Sequence, residues 1–131
     1  MSSCPYLFVY GTLKREFRNR FARRLRREAK FLGAAHMLGR LYRVRRYPGM
    51  RPAMDDMVTG ELYRLRHPAK TLEALDGYEG EHYRRELCIA IRETGRPIRA
   101  WVYMYRFALP EHRRLSIYPT RFVSGSRYSG A

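Results

Sequence analysis

The stretch that decides the fold is a pair of segments joined by a short turn: Tyr83-Arg84-Arg85-Glu86-Leu87-Cys88-Ile89-Ala90-Ile91-Arg92, and Ile98-Arg99-Ala100-Trp101-Val102-Tyr103-Met104-Tyr105-Arg106. In the first, Tyr83, Arg85, Leu87, Ile89 and Ile91 alternate with Arg84, Glu86, Cys88, Ala90 and Arg92, the period of two that a strand imposes. Thr94-Gly95-Arg96-Pro97 is the hairpin turn between them. On the return, Ile98, Ala100, Val102 and Met104 share one face, and Trp101, Tyr103 and Tyr105 share the other. Neither face is built for water. The pair therefore predicts a curved sheet or barrel packed on both sides.

Working upstream, Ala69 to Asp76 reads as a short helix with Leu72 and Leu75 inward, ended by Gly77. Gly39-Arg40-Leu41-Tyr42-Arg43-Val44 and Met57 to Leu65 read as strands, and they share the echo Gly-Arg-Leu-Tyr-Arg against Gly-Glu-Leu-Tyr-Arg. Between them, Tyr47-Pro48-Gly49-Met50-Arg51-Pro52 reads as a loop, because two prolines and a glycine in six residues oppose regular structure. From Glu16 to Lys30, the fourfold spacing of Phe17, Phe21, Leu25 and Ala29 predicts an amphipathic helix whose arginines form a solvated face. Pro5 to Tyr10 is a first strand, stopped by Gly11. From Leu109 onward the chain reads as irregular.

The 131 residues suit one domain spanning 1–131. No apolar run approaches the roughly 20 residues of a membrane-crossing helix, and the N-terminus lacks signal-peptide character. Cys4 and Cys88 have no framework or metal spacing, which predicts free thiols, and with them a cytoplasmic location and no membrane partner. His36, His67, His82 and His112 have no ligand spacing either, so no metal and no cofactor is expected. The formal charge is +15, and Lys14 to Arg46 holds thirteen basic residues against Glu16 and Glu28. Such a segment favours an anionic partner, yet no nucleic-acid motif accompanies it. An arginine-driven nucleic-acid binder is kept as the lesser reading.

Two short motifs carry the chemistry. Phe8-Val9-Tyr10-Gly11-Thr12-Leu13 ends a strand in a glycine, so the Gly11, Thr12 and Leu13 amides can share a nest for a carboxylate or a developing oxyanion. Leu75-Asp76-Gly77-Tyr78-Glu79-Gly80 puts a carboxylate between two glycines, just past a helix end. Together with Tyr83-Arg84-Arg85, and with Asn19, Tyr47-Pro48-Gly49, Gly60-Glu61-Leu62-Tyr63 and Ala100-Trp101-Val102-Tyr103, this order of motifs resembles the γ-glutamylcyclotransferase-like superfamily, in particular its γ-glutamylamine cyclotransferase group. The likeness runs over about residues 6 to 105.

The resemblance implies an α+β fold, a small mixed β-barrel with flanking short helices. It implies that Tyr10, Gly11, Thr12 and Leu13 bind a small-molecule γ-glutamyl substrate and that Glu79 is the catalytic acid/base. Tyr83 and Tyr103 are further candidates to line the site. Burial of Glu79 among Tyr78, Tyr83 and other aromatics is expected to raise its pKa. Asp76 is expected to end the helix or bond the backbone, and Glu81, rival to Glu79, to be exposed. The implied reaction closes the glutamyl part to 5-oxoproline and releases an amine or amino acid. The substrate's own α-amine attacks, which fits a chain with no Ser-His-Asp or Cys-His arrangement. Glu16 and the tail Gly125-Ser126-Arg127 depart from the family pattern and leave the leaving group open. A non-catalytic γ-glutamyl-binding module of the same fold is the other alternative.

Overall fold

The computed structural model describes residues 4–10, 20–44 and 47–115. In chain order these form β1 (Tyr6–Val9), α1 (Arg20–Glu28), β2 (Ala29–Leu38), β3 (Arg40–Val44), β4 (Tyr47–Arg51), β5 (Met57–Leu65), α2 (Pro68–Glu79), β6 (Tyr83–Arg92), β7 (Pro97–Tyr105) and a 3-10 turn at Glu111–Arg113. The strands join in the order β1-β5-β2-β6-β7, and a parallel contact between Leu7 and Trp101 returns β7 to β1. That closes a mixed five-stranded barrel, with β4 continuing along β7 at Met50–Met104 and β3 beyond it. Two helices flank the barrel, so the α+β barrel expected from the sequence is the architecture found.

The two-sided pattern of β7 works as its residues require. Ala100, Val102 and Met104 join Phe8, Tyr10, Met37, Met50 and Leu62 inside the barrel. Tyr103 points out and packs with Leu7, Val9, Phe21, Leu25, Leu72 and Leu75, the layer between barrel and helices. Gly95, with φ of +88°, makes the β6–β7 turn. Cys4 and Cys88 are free thiols. Among the described residues no helix is long and apolar enough to cross a membrane.

Three local expectations are corrected. First, α1 ends at Glu28 instead of running to Lys30, because Ala29 and Lys30 pair with Leu65 and Arg64 of β5. Phe21 and Leu25 form its buried stripe as predicted, while residues 11–19 lie outside the described residues. Second, Tyr47–Arg51 is a strand, not a loop. It pairs fully with β3 but meets β7 at Met50 alone, so Pro48 sits where a missing N–H is tolerated. A side chain at Gly49 would press on Val44 and Tyr105, so the glycine that suggested a turn permits a close strand.

Third, Gly77 does not end α2. The helix continues to Glu79 and stops at Gly80, which has φ of +79° and donates its N–H to the Asp76 carbonyl. Gly77 sits inside the helix with open space around its missing Cβ. Gly77→Ala is therefore expected to stabilise the protein by about 0.5–1 kcal/mol, through helix propensity and a less flexible unfolded chain. A urea titration of both proteins measures this, and a lower midpoint for the alanine variant would contradict it.

Candidate active site

The extension of α2 sets the site. Leu72, Leu75, Asp76 and Glu79 fall at i, i+3, i+4 and i+7, which is one helical face. Leu72 and Leu75 bury that face against the barrel. The last turn therefore carries its two carboxylates onto the same side, instead of leaving Glu79 in a surface turn. Gly80 then lets the chain reverse into β6.

Glu79 is largely withdrawn from water. Burial pushes its carboxyl up to about 7, and the Asp76 charge one turn earlier acts in the same direction. Three tyrosines from three strands feel its charge: Tyr10 at the end of β1, Tyr83 at the start of β6, and Tyr103 on β7. Burial is the largest influence on each of these phenols, and all are raised, Tyr83 to about 12. They are neutral hydrogen-bonding groups at working pH. Among the described residues no cation pairs with Glu79.

Arg85 of β6 is engaged with Asp76. It grips Asp76 through two hydrogen bonds of 2.9 and 3.0 Å and lies 4.3 Å over the Trp101 ring. Tyr103 donates its hydroxyl to Asp76 at 2.6 Å. Asp76 thus binds side chains from β6 and β7, where the sequence had offered a helix end or a backbone bond; only its main-chain carbonyl takes the latter role, toward Gly80. The phenol, guanidinium and carboxylate lock the end of α2 onto the barrel wall.

Tyr10 has a second task. Its ring is in the barrel interior, and its hydroxyl donates to the Tyr103 carbonyl and accepts from the Met50 amide. It fills the junction where the edge of β7 changes partner from β1 to β4. The alternation of Tyr6, Phe8 and Tyr10 carried that inward direction in the sequence; the partners depend on strands far away in the chain. Tyr78 corrects a further expectation: it is 40% exposed and its hydroxyl accepts from Arg24, so it does not enclose Glu79. Glu81 is exposed, as expected.

The structure therefore brings Tyr10, Glu79, Tyr83 and Tyr103 together and adds Asp76 and Arg85, which sequence reasoning had not assigned to the site. Gly11, Thr12 and Leu13 lie outside the described residues, directly after Tyr10. Among the described residues no three His, Cys, Asp or Glu side chains converge to hold a metal ion.

The profile of the family described as gamma-glutamyl cyclotransferase, AIG2-like, matches residues 7–122. The chain belongs to this cyclotransferase family. A protein of Methanocaldococcus jannaschii, named provisionally as a gamma-glutamylcyclotransferase, is 31% identical over 107 residues, covering 76% of this chain and 83% of that relative. An AIG2-like protein of mouse has a similar crystal structure, with TM-score 0.66 at 27% identity, covering 82% of this chain and 80% of that one. An uncharacterized protein of Pyrococcus horikoshii shares the fold at TM-score 0.62 and 23% identity, covering 84% of each chain. Membership of the cyclotransferase family makes this barrel an enzyme scaffold and directs attention to Glu79, whose carboxyl is raised.

Proposed function

We propose that the protein is a γ-glutamyl cyclotransferase in which Glu79 moves the proton that the reaction requires. The observation that carries this reading is the withdrawn Glu79 carboxylate, raised to about 7, beside three neutral tyrosines: Tyr10 at the end of β1, Tyr83 at the start of β6 and Tyr103 on β7. An ordinary glutamate, with pKa about 4.3, is a weak base for an ammonium. One near 7 is about half ionised at neutral pH, and as an acid it can return the proton to a leaving nitrogen.

The substrate α-ammonium gives a proton to Glu79, and the freed amine attacks the γ-carbonyl carbon. A new C–N bond forms and the carbonyl electrons move onto oxygen. As the tetrahedral centre collapses, the old amide C–N bond breaks and Glu79 passes its proton to the departing nitrogen; the ring nitrogen gives up its second proton, by way of the re-ionised Glu79, to the released amine, which leaves as an ammonium. The products are 5-oxoproline and a free amine or amino acid. Holding the glutamyl chain folded for this closure supplies roughly 7–11 kcal/mol relative to a bimolecular step. In this reading the Gly11–Leu13 amides hold the α-carboxylate or the oxyanion, and each such oxyanion donor contributes about 2.7–4 kcal/mol. Tyr83 and Tyr103 line the substrate side of the carboxylate.

Asp76 tests the electrostatics. Replacing it by Asn removes the like charge one turn from Glu79, so Glu79 ionises more readily. The acidic limb of the pH profile of kcat/KM for 5-oxoproline release is expected to move to lower pH in Asp76→Asn. An unmoved limb would mean that Glu79 is not the titrating base. The direct test of function is a panel of γ-glutamyl amides and peptides assayed for 5-oxoproline, with Glu79→Gln as control.

A further inference from the structure

The ring that borders Glu79 does not stop at the site. Tyr83 opens β6 and lies directly opposite Tyr105 in the β6–β7 ladder. Their rings meet edge-on, centroids 5.4 Å apart at 75°. Tyr105 meets Phe107 in the same manner at 5.7 Å and 76°, and Phe107 meets His82 at 6.0 Å and 68°. The series runs outward: Tyr83 and Tyr105 are part-buried, while Phe107 is 48% exposed. A chain of rings serving stability alone would run toward the core, where aromatic area is removed from water. This one delivers apolar surface from the carboxylate to solvent, on a protein whose charged residues make up 30% of the chain.

The series is also held in place. The Arg106 amide donates to the His82 carbonyl, its guanidinium donates to the Glu81 carbonyl at 2.9 Å, and that group lies 5.5 Å from the Phe107 ring centre. The segment after β7 is thereby tied to the turn that follows Glu79. β7 separates this edge of the site from β1, since β1 and β6 pair with its opposite sides. The glutamyl group, read as bound at the end of β1, thus leaves the β6 side for what is attached to it.

We propose that Tyr83, Tyr105 and Phe107 form an aromatic shelf for the leaving group, which selects γ-glutamyl amides whose amine carries an aromatic or bulky apolar body. This rests on the cyclotransferase reading above. Edge-to-face stacking leaves ring faces open to a further ring, and offset or edge contact with one is favourable beyond the area it covers. A small aliphatic leaving group carries no ring to stack on this shelf and would gain little from it.

The test compares release of 5-oxoproline from γ-glutamyl-phenylalanine and γ-glutamyl-alanine by the wild type, Phe107→Ser and Phe107→Tyr. The ratio of kcat/KM values is expected to favour the phenylalanine compound by about tenfold in the wild type. It should fall toward one in Phe107→Ser and be retained in Phe107→Tyr. A wild-type ratio near one, or a ratio unchanged by the serine, overturns the shelf while leaving the cyclotransferase reading intact. If neither compound yields 5-oxoproline, that reading fails for these substrates, and calorimetry decides the shelf separately. Tighter binding of γ-glutamyl-phenylalanine that is lost in Phe107→Ser supports it, and equal affinity for the two compounds overturns it.

Discussion

Glu79→Gln is expected to lower 5-oxoproline release by about 10²–10⁴-fold while making the folded protein more stable at alkaline pH. The amide keeps the size of the side chain and removes its ability to take a proton. Activity with a cleavable γ-glutamyl amide measures the first effect, and an unchanged rate would remove Glu79 from the mechanism. The second effect has a definite sign. Burial raises the folded-state pKa to about 7, whereas an unfolded glutamate titrates near 4.5. Between those values the folded protein holds a proton that the unfolded chain has released. The contribution of Glu79 to stability is therefore complete below about pH 4.5 and is lost as pH rises through 7. The shift corresponds to about 3 kcal/mol. Gln cannot ionise, so unfolding titrations from pH 5 to 9 should show the variant pulling ahead of the wild type with rising pH. A constant gap across that range would mean that Glu79 is not held in an ionisation-opposing environment. Lost activity joined to gained stability is the pattern expected of a group kept buried for chemistry rather than for folding.

Gly60→Ala is expected to destabilise the protein by about 3 kcal/mol, on the order of 10 °C in Tm. Gly60 lies on β5, paired with Ala35 of β2, where β1 passes on the other side. A Cβ there would stand 2.3 Å from the Val9 carbonyl oxygen and 2.8 Å from the Phe8 ring. The nearer atom is backbone, in the strand that closes the barrel and leads to Tyr10, so it has little freedom to retreat. Gly39 gives the control. A Cβ there also falls 2.3 Å from an atom, but that atom is the terminal methyl of Met50, the far end of a flexible side chain. Gly39→Ala should therefore cost much less. Thermal melts of both variants separate the two cases, and equal losses would show that the β1–β5 approach is not the constraint. Because β1 carries Tyr10, Gly60→Ala should also weaken γ-glutamyl turnover in the fraction that remains folded.

Much of the barrel was legible because a strand buried on both faces has few ways to be written. Ile98 to Arg106 alternates between two apolar sets, and each set found its own layer: Val102 and Met104 inside, Tyr103 against the helices. The misses have a common origin. Pro48 and Gly49 are strong local signals for a loop, yet pairing with β3 overrides them, and Gly49 is small because Tyr105 passes close by. Gly77 is a strong local signal for a helix end, yet the burial of Leu72 and Leu75 carries α2 through it to Gly80. Local propensities of about 1 kcal/mol per residue cannot outweigh contacts of that size.

The candidate site divides along the same line. The sequence by itself determined the family of folds and the nomination of Glu79, through the resemblance that its ordered motifs carry, and the aromatic enrichment near that residue, through residue types alone. The tertiary structure decided what surrounds that carboxylate. Three more residues of helix turn Glu79 onto the buried face beside Asp76. Barrel closure brings Tyr10, 69 positions earlier, and Tyr103, 24 positions later, within reach of its charge. Arg85 is drawn to Asp76 by geometry that no spacing rule contains. A pKa depends on solvent and charge in three dimensions, so the residue could be named from the chain, but its protonation state at neutral pH could come only from the fold.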